Sequence, residues 1–201
     1  MPDNSSAMSQ RGHAGDGLVE GLNPQAEPPP GVDTKAQAEA AIGDSPSSAD
    51  TTGALIDLIE TRYHAAHRRQ LSEMIDLARQ VEEVHRGDTA PPAGLTALLK
   101  HMAVVMEGHM QKEERVLFPI MRRYGQARLA RPIAGLLADH DEHGALMREL
   151  ETLTDGFAAP EHACDAWRAL YAVGRELAED LARHIQIEND LLFPRFVTPA
   201  E

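Results

Sequence analysis

The sequence predicts an all-α protein, an up-down-up-down four-helix bundle preceded by a disordered N-terminal tail. Three observations carry that reading. From Gly53 onward the chain is rich in Leu, Ala, Glu, Arg and Met, with Gly and Pro falling between long segments, the pattern of helices joined by loops. Within each long segment apolar residues recur every three or four positions, which lines one face of a helix. Residues 1–52, by contrast, hold six of the thirteen prolines, no Phe, Tyr or Trp, and eight acidic residues against two basic ones. Such a segment buries too little apolar surface to offset its ordering entropy. It reads as an acidic tail with at most a transient helix over Lys35 to Ile42, and residues 53–201 read as the bundle.

The first helix is expected from about Ala54 to His85, with Asp50, Thr51 and Thr52 as N-cap candidates and Gly87 as its stop. Its inward stripe is His64, His67, Leu71, Met74, Ala78 and Val81. The second runs from about Leu95 to Tyr124, ends at Gly125, and turns Leu95, Leu98, Met102, Val105, His109, Glu113, Val116 and Ile120 inward. The third spans about Leu129 to Thr154, closed by Gly156, with Leu129, Ile133, Leu136, His140, His143, Met147 and Leu150 inward. The fourth starts near Pro160 or Glu161 and stops near Pro194, presenting Trp167, Leu170, Leu177, Leu181, His184, Glu188 and Leu191. Mostly short connections make consecutive helices antiparallel neighbours.

Composition narrows the function. Against 19 basic residues stand 32 acidic ones, a net charge of −13, so clustered cations for a nucleic-acid backbone are lacking. No run of eighteen apolar residues spans a membrane and the first thirty residues contain no signal-like apolar stretch, which predicts a cytoplasmic protein. The lone cysteine, Cys164, excludes an internal disulfide and a cysteine-ligated zinc or iron–sulfur site. Histidine, at ten residues, is the plentiful ligand type.

Those histidines follow a repeat. His109-Met-Gln-Lys-Glu113-Glu-Arg-Val-Leu-Phe-Pro119 matches His184-Ile-Gln-Ile-Glu188-Asn-Asp-Leu-Leu-Phe-Pro194 at six of eleven positions, and the His64-x-x-His67 pair recurs as His140-x-x-His143. Two hairpins related by an approximate two-fold follow. On a helix, residues i and i+4 share a face, so His109 with Glu113 and His184 with Glu188 each aim an imidazole and a carboxylate at one point. A carboxylate on an apolar face is costly to bury ionised unless a positive charge lies beside it, and a metal ion supplies one. The doubled motif suits two borderline ions with bridging carboxylates; iron or manganese fits this mixed nitrogen and oxygen set, whereas zinc is more natural for a single four-ligand site.

His67 and His143, one turn from His64 and His140, can each be a ligand, a donor behind a ligand or a hydrogen-bonded core residue, and the last two are the favoured readings. His13, His85, His101 and His162 read as solvated or linker residues; Glu114, Asp139, Glu142 and Asn189 adjoin the ligand candidates and could orient them, but adjacent helix positions point about 100° apart, so surface exposure is the expectation. Trp167, Phe196 and the methionines read as core. Phe118-Pro119 and Phe193-Pro194 are expected to kink or end their helices, because proline removes an amide donor and clashes with the carbonyl four residues back.

The set His64, His109-x-x-x-Glu113, His140, His184-x-x-x-Glu188, with its two Leu-Phe-Pro endings, resembles the hemerythrin-like HHE cation-binding fold. Arg62-Tyr-His-Ala-Ala-His-Arg, Asp139-His-Asp-Glu-His-Gly and the two His-x-x-x-Glu segments are similar, more narrowly, to the bacterial di-iron proteins that repair iron centres and to their nitric-oxide-binding relatives. The resemblance covers residues from about 54 to 197. It implies two non-haem iron ions held by His64, His109, Glu113, His140, His184 and Glu188, and a role in nitrosative or oxidative stress. Repair-type relatives generally begin with a small domain bearing a cysteine pair, and residues 1–52 contain no cysteine. Nitric oxide binding, for scavenging or sensing, is therefore the first expectation, and iron donation to damaged iron–sulfur proteins the alternative. A di-iron nitric oxide or peroxide reductase served by an electron donor, or a dioxygen binder, comes next. Gly144 stands where oxygen carriers have a further inward histidine, so reversible oxygen carriage is the weaker reading. A gas-binding or repair protein is expected rather than a multiple-turnover enzyme.

Overall fold

The computed structural model describes residues 48–87, 93–124 and 128–197. Four long helices account for most of them. Helix α1 (48–84), helix α2 (95–123), helix α3 (Ala130–Leu153) and helix α4 (165–192) are followed by the short helix α5 (Pro194–Val197). No helix among the described residues is long and apolar enough to cross a membrane. The tail reading for Lys35 to Ile42, His13 and the Gly125 stop fall outside the described residues.

End-to-end contacts fix the antiparallel order. The backbone N–H of Thr96, at the start of α2, donates to Glu82 Oε1 near the end of α1. At the other end of the bundle, Arg122 in the last turn of α2 bonds Asp57 in the opening of α1, and Leu129 donates its N–H to the carbonyl of Phe196, joining the start of α3 to α5. The sequence reading of an all-α four-helix bundle is therefore correct, with two shifts of boundary. Helix α1 begins at Ser48 and runs through Asp50, Thr51 and Thr52 rather than being capped by them, and α4 begins at Asp165 after Cys164 rather than near Pro160. Gly156 closes α3 as expected: at φ 63° it sits in the left-handed region, and its N–H returns to the carbonyl of Glu151 at 2.8 Å.

Three wide π turns interrupt the helices, at Ile59–His64, Glu113–Leu117 and Glu188–Leu192. In each an amide reaches back five residues: Ala65 to Glu60, Phe118 to Glu113, and Phe193 to Glu188. Pro119 and Pro194 explain the last two. Neither ring has an N–H to offer, and each would clash with the carbonyl four residues back; one inserted residue moves that carbonyl aside. In α1 no proline is present, and Thr61 Oγ1 instead bonds the carbonyl of Asp57 at 2.6 Å, a back-bond that loosens a helix.

An inserted residue also rotates everything after it by about 100°. The inward stripe expected at Val116, Ile120 and Leu191 slips by one position as a result. Val116 is 58% exposed, while Leu117, Phe118 and Met121 are buried; Leu192 is buried where Leu191 is only partly so. The remaining stripe positions of α1, α3 and α4 are buried as read, and Val105 of α2 is half-buried.

The apolar interior forms two separate clusters. One, at the end holding the start of α1 and the end of α4, includes Leu55, Ile59, Leu117, Phe118, Ile133 and Phe193. The other, toward the opposite end, includes Met74, Leu99, Met106, Leu150, Trp167 and Leu177. Between them lies a buried polar layer.

Candidate metal centre

That layer contains all six residues expected as ligands. His64, His109, Glu113, His140, His184 and Glu188 are between 0% and 5% exposed. The four Nε2 atoms turn inward. His64 Nε2 and His109 Nε2 each lie 3.3 Å from Glu113 Oε2, and His184 Nε2 and His140 Nε2 lie 3.0 Å from Glu188 Oε1 and Oε2 respectively. Across the layer, His64 and His184 approach to 3.3 Å between Nε2 atoms, as do His109 and His140.

These atoms sort into two groups capable of holding a metal ion, His64 with His184 and His109 with His140, and both groups share Glu113 and Glu188. Within each group the ligand atoms lie within 4.8 Å of one another. Neighbouring donors about 2.1 Å from one first-row ion at right angles stand about 3 Å apart, which is the separation observed.

The donor set fits a metal on chemical grounds. Both oxygens of Glu113 are enclosed without a hydrogen-bond partner. Glu188 Oε2 lies 3.0 Å from His140 Nε2, and Oε1 of the same carboxylate meets His184 Nε2 at 3.0 Å. Burial, with the Glu188 carboxylate beside it, pushes Glu113 well above the ordinary carboxylate range. The imidazoles of His184 and His140 outweigh burial and hold Glu188 well below that range; ionising both carboxylates together in a dry interior needs further positive charge, and a cation between them supplies it. Burial also holds His64 at about 4 and His109 at about 3, so these imidazoles are neutral, the ligating form, at physiological pH.

The outward Nδ1 atoms are held differently in each ring. His64 Nδ1 donates to Glu114 Oε1 at 2.8 Å, and Glu114 is clamped by two bonds from Arg68. His109 Nδ1 faces Asp139 at 3.3 Å, with Lys112 on the same carboxylate. His140 Nδ1 donates to Asn189 Oδ1 at 3.0 Å. His184 Nδ1 meets His67 Nε2 at 3.2 Å; from there a chain runs through Gln70 to Asp180, which Arg62 grips with two bonds. Such partners fix ring orientation and raise ligand basicity. Phe118 and Phe193 lie over His64 and His140 at 6.0 Å between centroids, and Tyr63 stacks on His184 at 5.7 Å.

Several sequence expectations change here. Glu114, Asp139 and Asn189, expected at the surface although able to orient the imidazoles, are half-buried: each sits beside an expected ligand of its own helix and reaches across to the imidazole of a neighbouring helix, so the 100° offset that argued for exposure is what carries the side chain over. Glu142 is exposed, as expected. His67 meets His184 Nδ1 and belongs to neither donor group, which agrees with the favoured reading of it as a group behind the ligands. His85 is buried, bonded to Cys164 Sγ at 3.3 Å and edge-on to Trp167, whereas it was read as solvated or linker. Gln70 and Asp180 were not singled out; their signal was a polar residue three after His67 and another four before His184, on ligand-facing rows. A groove of about 480 Å³ opens over Arg62 and Asp180, while the inward donors themselves are sealed.

The description "Hemerythrin HHE cation binding domain" matches residues 56–196. The chain belongs to this family. It is 44% identical over 141 residues, 70% of its length, to the iron-sulfur cluster repair protein YtfE of Edwardsiella ictaluri (strain 93-146). The iron-sulfur cluster repair protein DnrN of Neisseria gonorrhoeae is 44% identical over 143 residues, 71% of this chain and 90% of that protein. YtfE of Escherichia coli O157:H7 is 40% identical over 141 residues, 70% of this chain. The matched part of the chain spans 64% of the two YtfE proteins. The hemerythrin-like reading made from the His and Glu repeat is thus correct, and iron is the metal this family membership and donor set suggest.

Proposed function

We propose that this protein holds two non-haem iron ions and serves the repair of iron–sulfur clusters. One observation carries the reading: two His-pair groups share both buried carboxylates, so the cage has places for two ions and too little positive charge without them. Iron bound there supplies a redox-active Lewis acid that can be handed on. The residues of this chain do the rest. Inward imidazoles and carboxylates hold the ions, Glu114, Asp139, Asn189 and His67 set the ring orientations, and the two apolar clusters keep bulk water from both sides of the layer. Similarity to proteins named for iron–sulfur cluster repair supports this role over nitric oxide binding as the principal one, although the sequence departures favoured gas binding.

Loaded protein is expected to contain two irons per chain and to restore activity to an enzyme whose iron–sulfur cluster has been damaged. Metal analysis and that reactivation assay test the two halves. Saturation below two ions, or loaded protein no better than free ferrous iron, would overturn the reading.

Nitric oxide binding is the second reading. Two imidazoles and two shared carboxylates would supply four donors to each ion, leaving room for a small ligand on an ion that takes six. Anaerobic addition of nitric oxide to the reduced, iron-loaded protein is then expected to change its visible spectrum, and an unchanged spectrum sinks it.

A further inference from the structure

The six inward residues of the two halves correspond one to one, but the residues around them do not, and the difference is sharpest at His67 and His143. His64-x-x-His67 in α1 corresponds to His140-x-x-His143 in α3, and the ring facing His67 is His184 as the ring facing His143 is His109. His67 Nε2 meets His184 Nδ1 at 3.2 Å. His143 makes no such bond, although its ring stands edge-on to His109 at 4.8 Å between centroids and 6.2 Å from His140.

The residue before each His-x-x-His pair explains the difference. Before His64 stands Tyr63, which only stacks on His184 and leaves that ring's Nδ1 to His67. Before His140 stands Asp139, whose carboxylate takes His109 Nδ1 at 3.3 Å. His143 Nε2 is consequently enclosed with no partner, in a side chain only 2% exposed. A buried polar atom in that state is costly and calls for an explanation. Direct ligation is not the explanation, because His143 belongs to neither of the two groups whose donor atoms lie within 4.8 Å of one another.

We propose that His143 is the hydrogen-bonding residue for a small exogenous ligand on the ion of the His109–His140 group: a diatomic molecule or small anion with a lone pair for Nε2–H. This inference rests on the metal-centre reading and deepens it, by making the two ion positions inequivalent and assigning ligand capture to one of them. The His64–His184 position has no counterpart, since His67 is already engaged.

Azide titration of the iron-loaded full chain tests this, read by the azide-to-iron charge-transfer band beside the iron content. His143→Phe, which fills the volume but donates nothing, is expected to weaken azide binding about tenfold with iron content unchanged. His143→Gln, which restores an amide donor and a softer change of shape, is expected to recover most of that affinity. Azide affinity equal in wild type and H143F overturns the proposal, and so does loss of one iron from H143F and H143Q alike, which makes His143 a ligand. A wild-type chain that takes up no iron fails differently, overturning the metal-centre reading itself.

Discussion

Glu113 and Glu114, adjacent in sequence, hold opposite nitrogens of one imidazole: Glu113 Oε2 lies 3.3 Å from His64 Nε2, and Glu114 Oε1 lies 2.8 Å from Nδ1 of the same ring. Two successive side chains achieve this because the wide turn that begins at Glu113 spreads their directions. The inner carboxylate belongs to both groups able to hold a metal ion and the outer one to neither, which separates their expected effects.

Glu113→Gln removes a charge common to both groups, so both irons are expected to be lost. His109→Ala removes a ligand from one group only, and about one iron should remain. Metal analysis after desalting distinguishes the two; equal losses would contradict the shared-carboxylate arrangement.

Outside the ligand layer, Glu114→Ala is expected to weaken iron retention by about 10- to 100-fold, the usual effect of removing a carboxylate behind a ligating imidazole. Asn189→Ala should cost less, because His140 there loses a neutral acceptor rather than a charged one. Rates of iron release to a chelator measure both.

The slipped stripe after the second π turn has a direct test. Val116→Lys is expected to change stability by no more than about 0.5 kcal/mol, whereas Leu117→Ala should cost about 2–5 kcal/mol. Urea denaturation of the two variants would show the reverse order if the turn were an uninterrupted α-helix.

Gly174 faces Phe157 so closely that an added Cβ would lie 2.4 Å from Phe157 Cε1 and 2.8 Å from Cδ1. Phe157 itself is held at φ 61° with its N–H on Thr154 Oγ1, so its ring has little freedom to retreat. Gly174→Ala is expected to cost about 1–3 kcal/mol with iron content unchanged. A melting temperature equal to wild type would refute the close approach.

Acid stability should reflect Asp180. Burial raises its pKa, but hydrogen bonds from Arg62 and Gln70 outweigh that and hold the carboxyl below its ordinary value of 3.8. A carboxyl depressed in the folded state contributes stability that is present above the unfolded value and lost as pH falls through the folded one. The difference between wild type and Asp180→Asn is therefore expected to be constant above about pH 5 and to shrink below the ordinary value, as followed by denaturation midpoints across that range.

Much of the fold was legible because helix periodicity is local, and Gly156 ended its helix where a left-handed residue was needed. The six inward residues were legible because an i, i+4 pair on an apolar stripe has few inexpensive alternatives. What the sequence did not show has a common cause. Leu-Phe-Pro announced a disturbance at Pro119 and Pro194, but whether a proline ends, kinks or widens a helix depends on what packs beyond it, so Leu117 and Leu192 were missed as inward positions. Glu114, Asp139 and Asn189 act across helix interfaces, where spacing along one helix says nothing. His85 looked like a linker residue because its burial comes from Trp167, eighty-two positions away.

Splitting the apolar interior at mid-height leaves the molecule without a continuous greasy spine. Besides the helices that run through both ends, what couples them is the layer of imidazoles and carboxylates, and that layer is cohesive only with cations among its charges. Stripped of metal, the bundle is expected to lose its cooperativity before its helices, unravelling in two waves where the loaded form gives way in one.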